Sequence, residues 1–186
     1  TSTLPTTLTA TLAPLTPTNQ ALGVTAGPAI KLAFATSAQG LPAGGCSSPV
    51  RVETRDTNDN LAPVSTASPV TLATTGVVVS LYSDPACTTA ISAPLPLAAG
   101  GSAIIFYFRG NLPGMATVTA SATGLGQAAQ VENIGVGPPA KLTFTTQART
   151  AVANQCSAPL TLEVQDTAGN PSNVTGSPLA TTRLAG

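Results

Sequence analysis

Apolar and polar positions alternate along this chain in short runs. From Ile30, the apolar side chains Ile30, Leu32 and Phe34 share one face, and Lys31 and Ala33 take the other. Val50-Arg51-Val52-Glu53-Thr54-Arg55 alternates more cleanly, with valines inward and charges outward. That period of two is the signature of a half-buried strand. Further strands are expected from Val70 and Leu72, over Val77–Tyr82, over Ile104–Phe108, over Met115–Ala122 and over Gln127–Val136. Ile91–Leu97 contains Pro94 and Pro96 and is at most an edge strand. The segment Asp56–Asn60 reads as a polar loop between strands. No stretch keeps a helical period, and proline and β-branched residues oppose helices throughout. The pattern predicts an all-β fold, an antiparallel β-sandwich with Greek-key connections. Phe34, Val52, Leu72, Leu81 and Phe106 are the expected core.

The pattern also repeats. Shifted by 110 positions, Lys31, Leu32, Phe34, Cys46, Ser47, Pro49, Glu53, Asp56, Thr57 and Asn60 fall on Lys141, Leu142, Phe144, Cys156, Ser157, Pro159, Glu163, Asp166, Thr167 and Asn170. The same shift lays Thr7, Thr9, Ala10, Gln20, Gly27 and Pro28 on Thr117, Thr119, Ala120, Gln130, Gly137 and Pro138. Three parts are therefore expected: 1–28 as the closing strands of one repeat, 29–138 as a complete repeat, and 139–186 as the opening strands of a third. Gly27-Pro28 and Gly137-Pro138 stand where short, semi-rigid linkers belong.

Composition narrows the possible functions. Charged residues make up 8% of the chain and formal net charge is zero. A nucleic-acid binder needs a basic footprint, which this chain lacks. No apolar run approaches the ~18–20 residues that span a membrane. The apolar share of 42%, arranged in strand-like runs, argues for a folded chain rather than a disordered one.

Cys46 and Cys87 lie in the complete repeat, and Cys156 is the copy of Cys46. The expectation is a Cys46–Cys87 disulfide, with Cys156 left unpaired because its partner position falls past residue 186. Two cysteines and no histidine give too few ligands for zinc. A disulfide closing a loop of about 40 residues contributes roughly 4 kcal/mol in the chain-entropy account. It also implies an oxidising compartment: periplasm, cell surface or medium.

The pattern Lys-Leu-x-Phe, followed by Pro-(Leu/Val)-x-(Leu/Val)-Glu-x-x-Asp-Thr-x-x-Asn, resembles bacterial immunoglobulin-like repeats, the stacked domains of invasin- and intimin-type surface proteins. Asp166-Thr167-Ala168-Gly169-Asn170-Pro171 is its most specific piece. The first copy, Asp56-Thr57-Asn58-Asp59-Asn60-Leu61, departs from it by lacking the Gly and the adjacent Pro. The resemblance implies immunoglobulin-like sandwiches and a mostly structural, extracellular role.

Few residues are candidates for chemistry. Asp56, Asn58, Asp59 and Asn60 cluster oxygens suited to calcium, but the next copy replaces Asp59 with Gly169, and few other acids exist to complete the shell. Lys31 and Lys141, the only lysines, occupy equivalent strand positions. An isopeptide bond from Lys31 to Asn133 is one reading; a surface lysine near Glu53 is the other. Asn173-Val174-Thr175 fits a glycosylation acceptor. There is no histidine, and no acid pair or phosphate loop points to catalysis. Sugar-binding sandwiches present exposed aromatics, whereas Tyr82 and Tyr107 lie in apolar runs where core packing is expected. The leading expectation is a spacer in an extracellular stalk, fibre or adhesin, whose partners are neighbouring repeats. The alternatives are an adhesive module, with positions 37–45 as its variable loop, and a filament subunit completed by strand exchange.

Overall fold

Alternate burial follows alternate hydrophobicity. The computed structural model describes residues 4–174. Among them there are twelve strands and no helix. The central sandwich is built from β3 (Lys31–Phe34), β4 (Gly40–Pro42), β5 (Val50–Arg55), β6 (Thr71–Gly76), β7 (Val79–Tyr82), β8 (Ala103–Gly110), β9 (Gly114–Ala122) and β10 (Leu125–Gly135).

One layer runs β3-β5-β8-β7, all antiparallel. The other runs β4-β10-β9-β6, antiparallel except for the parallel pair β10–β4. A single parallel bridge between Lys31 and Gly126 joins the layers at one edge. Register brings Val52 opposite Ile104 and Val50 opposite Phe106. Cross-strand partners share a face, so these four pack as a block. From β9 the block meets Ala116, Val118 and Ala120, and from β10 Ile134; each of these four is at most 1% exposed.

Of the expected core, Val52 and Phe106 are buried, while Phe34, Leu72 and Leu81 pack against it partly exposed. The expected Val77–Tyr82 strand is cut short. Gly76 turns the chain at φ 88°, Val78 is exposed, and pairing resumes only at Val79. A Cβ at Gly76 would lie 2.3 Å from the Met115 carbonyl, so only glycine makes this turn. Ile91–Leu97 forms no strand, only a bridge from Leu95 to Val70.

Positions 37–45, expected as the first loop between strands, are not loop throughout. They contain β4, and beyond it the chain crosses between layers. Ala43 N–H donates to Gly135, Gly44 N–H to Gly110 and Ser47 N–H to Phe108.

One smaller sheet precedes the sandwich along the chain and another follows it. β1 (Leu4–Ala10) and β2 (Thr18–Val24) form a hairpin that pairs only with itself. β11 (Lys141–Phe144) and β12 (Leu162–Gln165) do likewise. β11 lies 110 positions after β3, and β12 the same distance after the end of β5. Leu142, Phe144, Leu160 and Leu162 are exposed, whereas Leu32, Val50 and Val52 at the corresponding positions are buried.

Candidate functional site

The densest polar geometry is the loop that follows β5. β5 ends with Thr54 and Arg55, and Asp56 turns the chain. Its Oδ1 accepts the backbone amides of Asn58 and Asn60, each at 2.9 Å. Its Oδ2 accepts the Asn60 side-chain amide at 3.1 Å and the Gly27 backbone amide at 2.9 Å. The last bond reaches back 29 positions to the Gly-Pro segment ahead of β3. The Asn60 side chain, helped by these backbone amides and opposed by burial, lowers the Asp56 carboxyl to about 2.

The arrangement recurs after β12. Asp166 Oδ1 accepts the Asn170 backbone amide at 2.8 Å, and Oδ2 accepts the Asn170 side chain at 3.0 Å and the Gly137 amide at 2.9 Å. Asn170, followed by the Gly137 and Gly169 amides, holds Asp166 at about 2 as well. Here the loop touches the sandwich. Asn170 Nδ2 also donates to the carbonyl of Asn111, between β8 and β9, at 2.9 Å. Ser172 Oγ donates to the Gly137 carbonyl at 2.8 Å.

The two copies differ at one position for a backbone reason. Gly169 has φ 95°, and Asp59 at the same place has φ 62°. Glycine enters this region freely, whereas aspartate is one of the few other residues that tolerate it. The Asp59 carboxylate is taken up by Lys31 Nζ at 2.7 Å, an exposed pair that contributes little to stability. Lys31 therefore does not pair with Glu53. That carboxylate is held instead by Arg51 at 2.8 Å and Arg55 at 3.0 Å, and the Arg51 contact leads in lowering its pKa.

The same bonds decide how well the segment fits calcium. Both oxygens of Asp56 already accept N–H donors, and Asp59 faces a lysine. A cation would have to displace these contacts, and no group of three metal-ligating side chains converges among the described residues. The donor set does not fit a calcium ion.

No family model and no curated protein matches the chain. Among solved structures, it is similar to a β-glycosidase from Bacteroides vulgatus (17% identity, TM-score 0.43) and a glycosyl hydrolase family 2 member from Bacteroides cellulosilyticus (16%, 0.47). The aligned parts cover 62% and 63% of this chain but only 15% and 16% of those proteins. It is also similar to domains 4 and 5 of the S-layer protein SbsC, at 16% identity and TM-score 0.39, covering 70% of this chain and 66% of that one.

A second feature is the disulfide between Cys46 and Cys87, whose Cα atoms lie 5.9 Å apart. Cys46 follows the crossing segment, and Cys87 ends a tight turn after β7 at φ 53°. Asp84 holds that turn by accepting the amides of Ala86, Thr88 and Thr89. Beside the bridge, Ser47 exchanges two hydrogen bonds with Phe108: its amide donates to the Phe108 carbonyl, and its hydroxyl accepts the Phe108 amide, both at 2.9 Å. The bridge thus ties the interlayer crossing to the turn after β7. Cys156 is exposed and free.

The remaining candidates are not brought together. Lys31 meets β10 at Gly126, seven positions from Asn133, or about 23 Å along a strand. An isopeptide bond does not fit that separation. Tyr82 and Tyr107 are not core residues. They pair across β7 and β8 on the outer face, half-buried, with the Arg109 guanidinium 5.4 Å from the Tyr82 ring centre. Thr175 of the glycosylation tripeptide lies outside the described residues.

One functional group was not foreseen. Glu132, on β10, is fully buried on the core side, opposite Ala116. Its Oε2 accepts the Gln39 amide at 2.6 Å, and its Oε1 has no partner. Burial raises its pKa, partly offset by the Gln39 amide and by the neighbouring Gln130 side chain.

Proposed function

We propose that this chain is a stretch of tandem immunoglobulin-like units acting as a spacer in an extracellular stalk, fibre or adhesin. The carrying observation is the aspartate clamp on each linker glycine, Asp56 on Gly27 and Asp166 on Gly137, both at 2.9 Å. A linker held by the loop of the unit it enters cannot swing freely, which is what a projecting array requires. The strand order β3-β5-β8-β7 over β4-β10-β9-β6 supports the immunoglobulin-like reading. The disulfide and the sparsely charged surface support an oxidising, exported setting. In a spacer, reach grows with copy number. The 11 residues of β10 set a rise of about 36 Å per unit.

Small-angle X-ray scattering on this chain, and on versions lengthened by one and two copies of residues 29–138, tests the reading. Maximum dimension should grow by a constant step. Growth that stalls, as units fold back on one another, overturns it. Association that rises with concentration and survives dilution slowly favours the strand-exchanged filament instead.

A further inference from the structure

The two copies of the Asp-Thr-x-x-Asn loop share the bonds from the Asn and the linker glycine to the aspartate, but not their surroundings. Asn60 and Gly27 are exposed, while Asn170 is 7% exposed and Gly137 is buried. What covers the second copy is the far end of the sandwich. There Asn111 offers its carbonyl to Asn170 Nδ2. Gly44 lies so close that a Cβ on it would stand 3.6 Å from Thr167 Oγ1 and 3.9 Å from the Ala168 methyl. The bond from Gly44 N–H to the Gly110 carbonyl, 2.8 Å, holds the two parts of this receiving surface together. An asparagine side chain has two N–H donors. Asn170 spends one on Asp166 and the other on Asn111. Asn60 spends its donors on Asp56 alone.

We infer that the loop Asp56–Asn60, together with Gly27, is a docking surface for the far end of a preceding copy of this same repeat. The partner's contribution is a backbone carbonyl at the position equivalent to Asn111 and a close-packed turn equivalent to Gly44. The contact is uncharged. Because its acceptor is main chain, it tolerates sequence divergence between copies. This rests on the tandem-array reading and adds that the junctions are docked rather than merely tethered.

Backbone ¹⁵N relaxation on the full chain tests the seated copy. Amides of β11 and β12 should tumble with those of β5 and β8 as one body. Asn170→Ala should release them, shortening the correlation time of β11–β12 alone. Asn60→Ala, which removes the same intraloop bond but no contact to the sandwich, should leave joint tumbling intact. Independent tumbling in the unaltered chain, or no response to Asn170→Ala, overturns the inference.

The empty copy is tested by placing a duplicate of residues 29–110 ahead of Thr1, which completes a preceding repeat. Hydrogen exchange at Gly27 should slow several-fold, and the Asn60 side-chain amide resonances should shift. Unchanged exchange and resonances overturn the docking surface. If scattering still shows a constant step per repeat in that case, the array survives with flexible joints and only the docking falls.

Discussion

The amide of Gly27 lies 2.9 Å from Oδ2 of Asp56, 29 positions along the chain, and Gly137 stands in the same relation to Asp166. The carboxylate is the hub of each loop, since its other acceptor sites close the turn. Its value of about 2, against an ordinary 3.8, means the folded state favours the ionised form. The stabilisation is present above about pH 3.8 and is lost as pH falls through the folded value near 2. Asp56→Ala should lower the melting temperature at pH 7 and flatten the loss of stability between those two values. An acid limb as steep in the variant as in the parent chain would show that Asp56 does not carry it.

The disulfide makes a second prediction. Ellman titration of denatured, unreduced protein should find one thiol, Cys156. Replacing Cys46 and Cys87 together by alanine should cost about 4 kcal/mol in denaturant unfolding, because the bridge closes a loop of 41 positions. Two or three free thiols, or a loss below about 1 kcal/mol, contradicts the bridge's place in the fold.

Chelation is the third. With the Asp56 oxygens occupied by N–H donors and Asp59 paired to Lys31, calcium has no vacant ligand set. Adding excess EDTA should shift the melting temperature by no more than about one degree, since only an ion bound to the folded state contributes. A fall of many degrees identifies a metal that the loop geometry does not accommodate.

The sandwich was legible where side chains alternate. Val50 and Val52 on β5, and Ile104 and Phe106 on β8, announced their strands because one face of each had to be buried. β4 was not legible. It is three residues long, ends in Pro42, and is held by pairing with β10 rather than by its own pattern. Val77–Tyr82 read as one strand because hydrophobicity does not report the backbone turn that Gly76 makes. The tyrosines misled for a related reason. An apolar run shows that a strand packs, but not which alternate residue faces outward. Of the junction, the Asp-Thr-x-x-Asn motif was visible, but its partners were not. Gly27, Gly137 and Asn111 contribute backbone groups that any residue carries.

Glu132 supplies the last prediction. It shares the core face of β10 with Ile134, and its counterpart 110 positions earlier is Leu22, so the repeat pattern does not require an acid there. Burial raises its carboxyl above the ordinary 4.5 against the opposing Gln39 amide and Gln130 side chain, so the folded state binds the proton more tightly than the unfolded chain does. Stability from this group is therefore full below pH 4.5 and is lost as pH rises through the raised folded value. Glu132→Gln keeps an oxygen to accept the Gln39 amide and removes the charge. It should stabilise the protein at pH 7 by about 1 kcal/mol, the scale of an unmet buried polar group. It should also abolish the decline on the alkaline side of pH 4.5 while leaving the acid limb of Asp56 and Asp166 in place. Urea midpoints measured from pH 2 to pH 8 on both proteins decide the matter. A variant less stable than the parent at pH 7, with the decline intact, would mean that the ionised carboxylate is held by contacts stronger than the Gln39 bond.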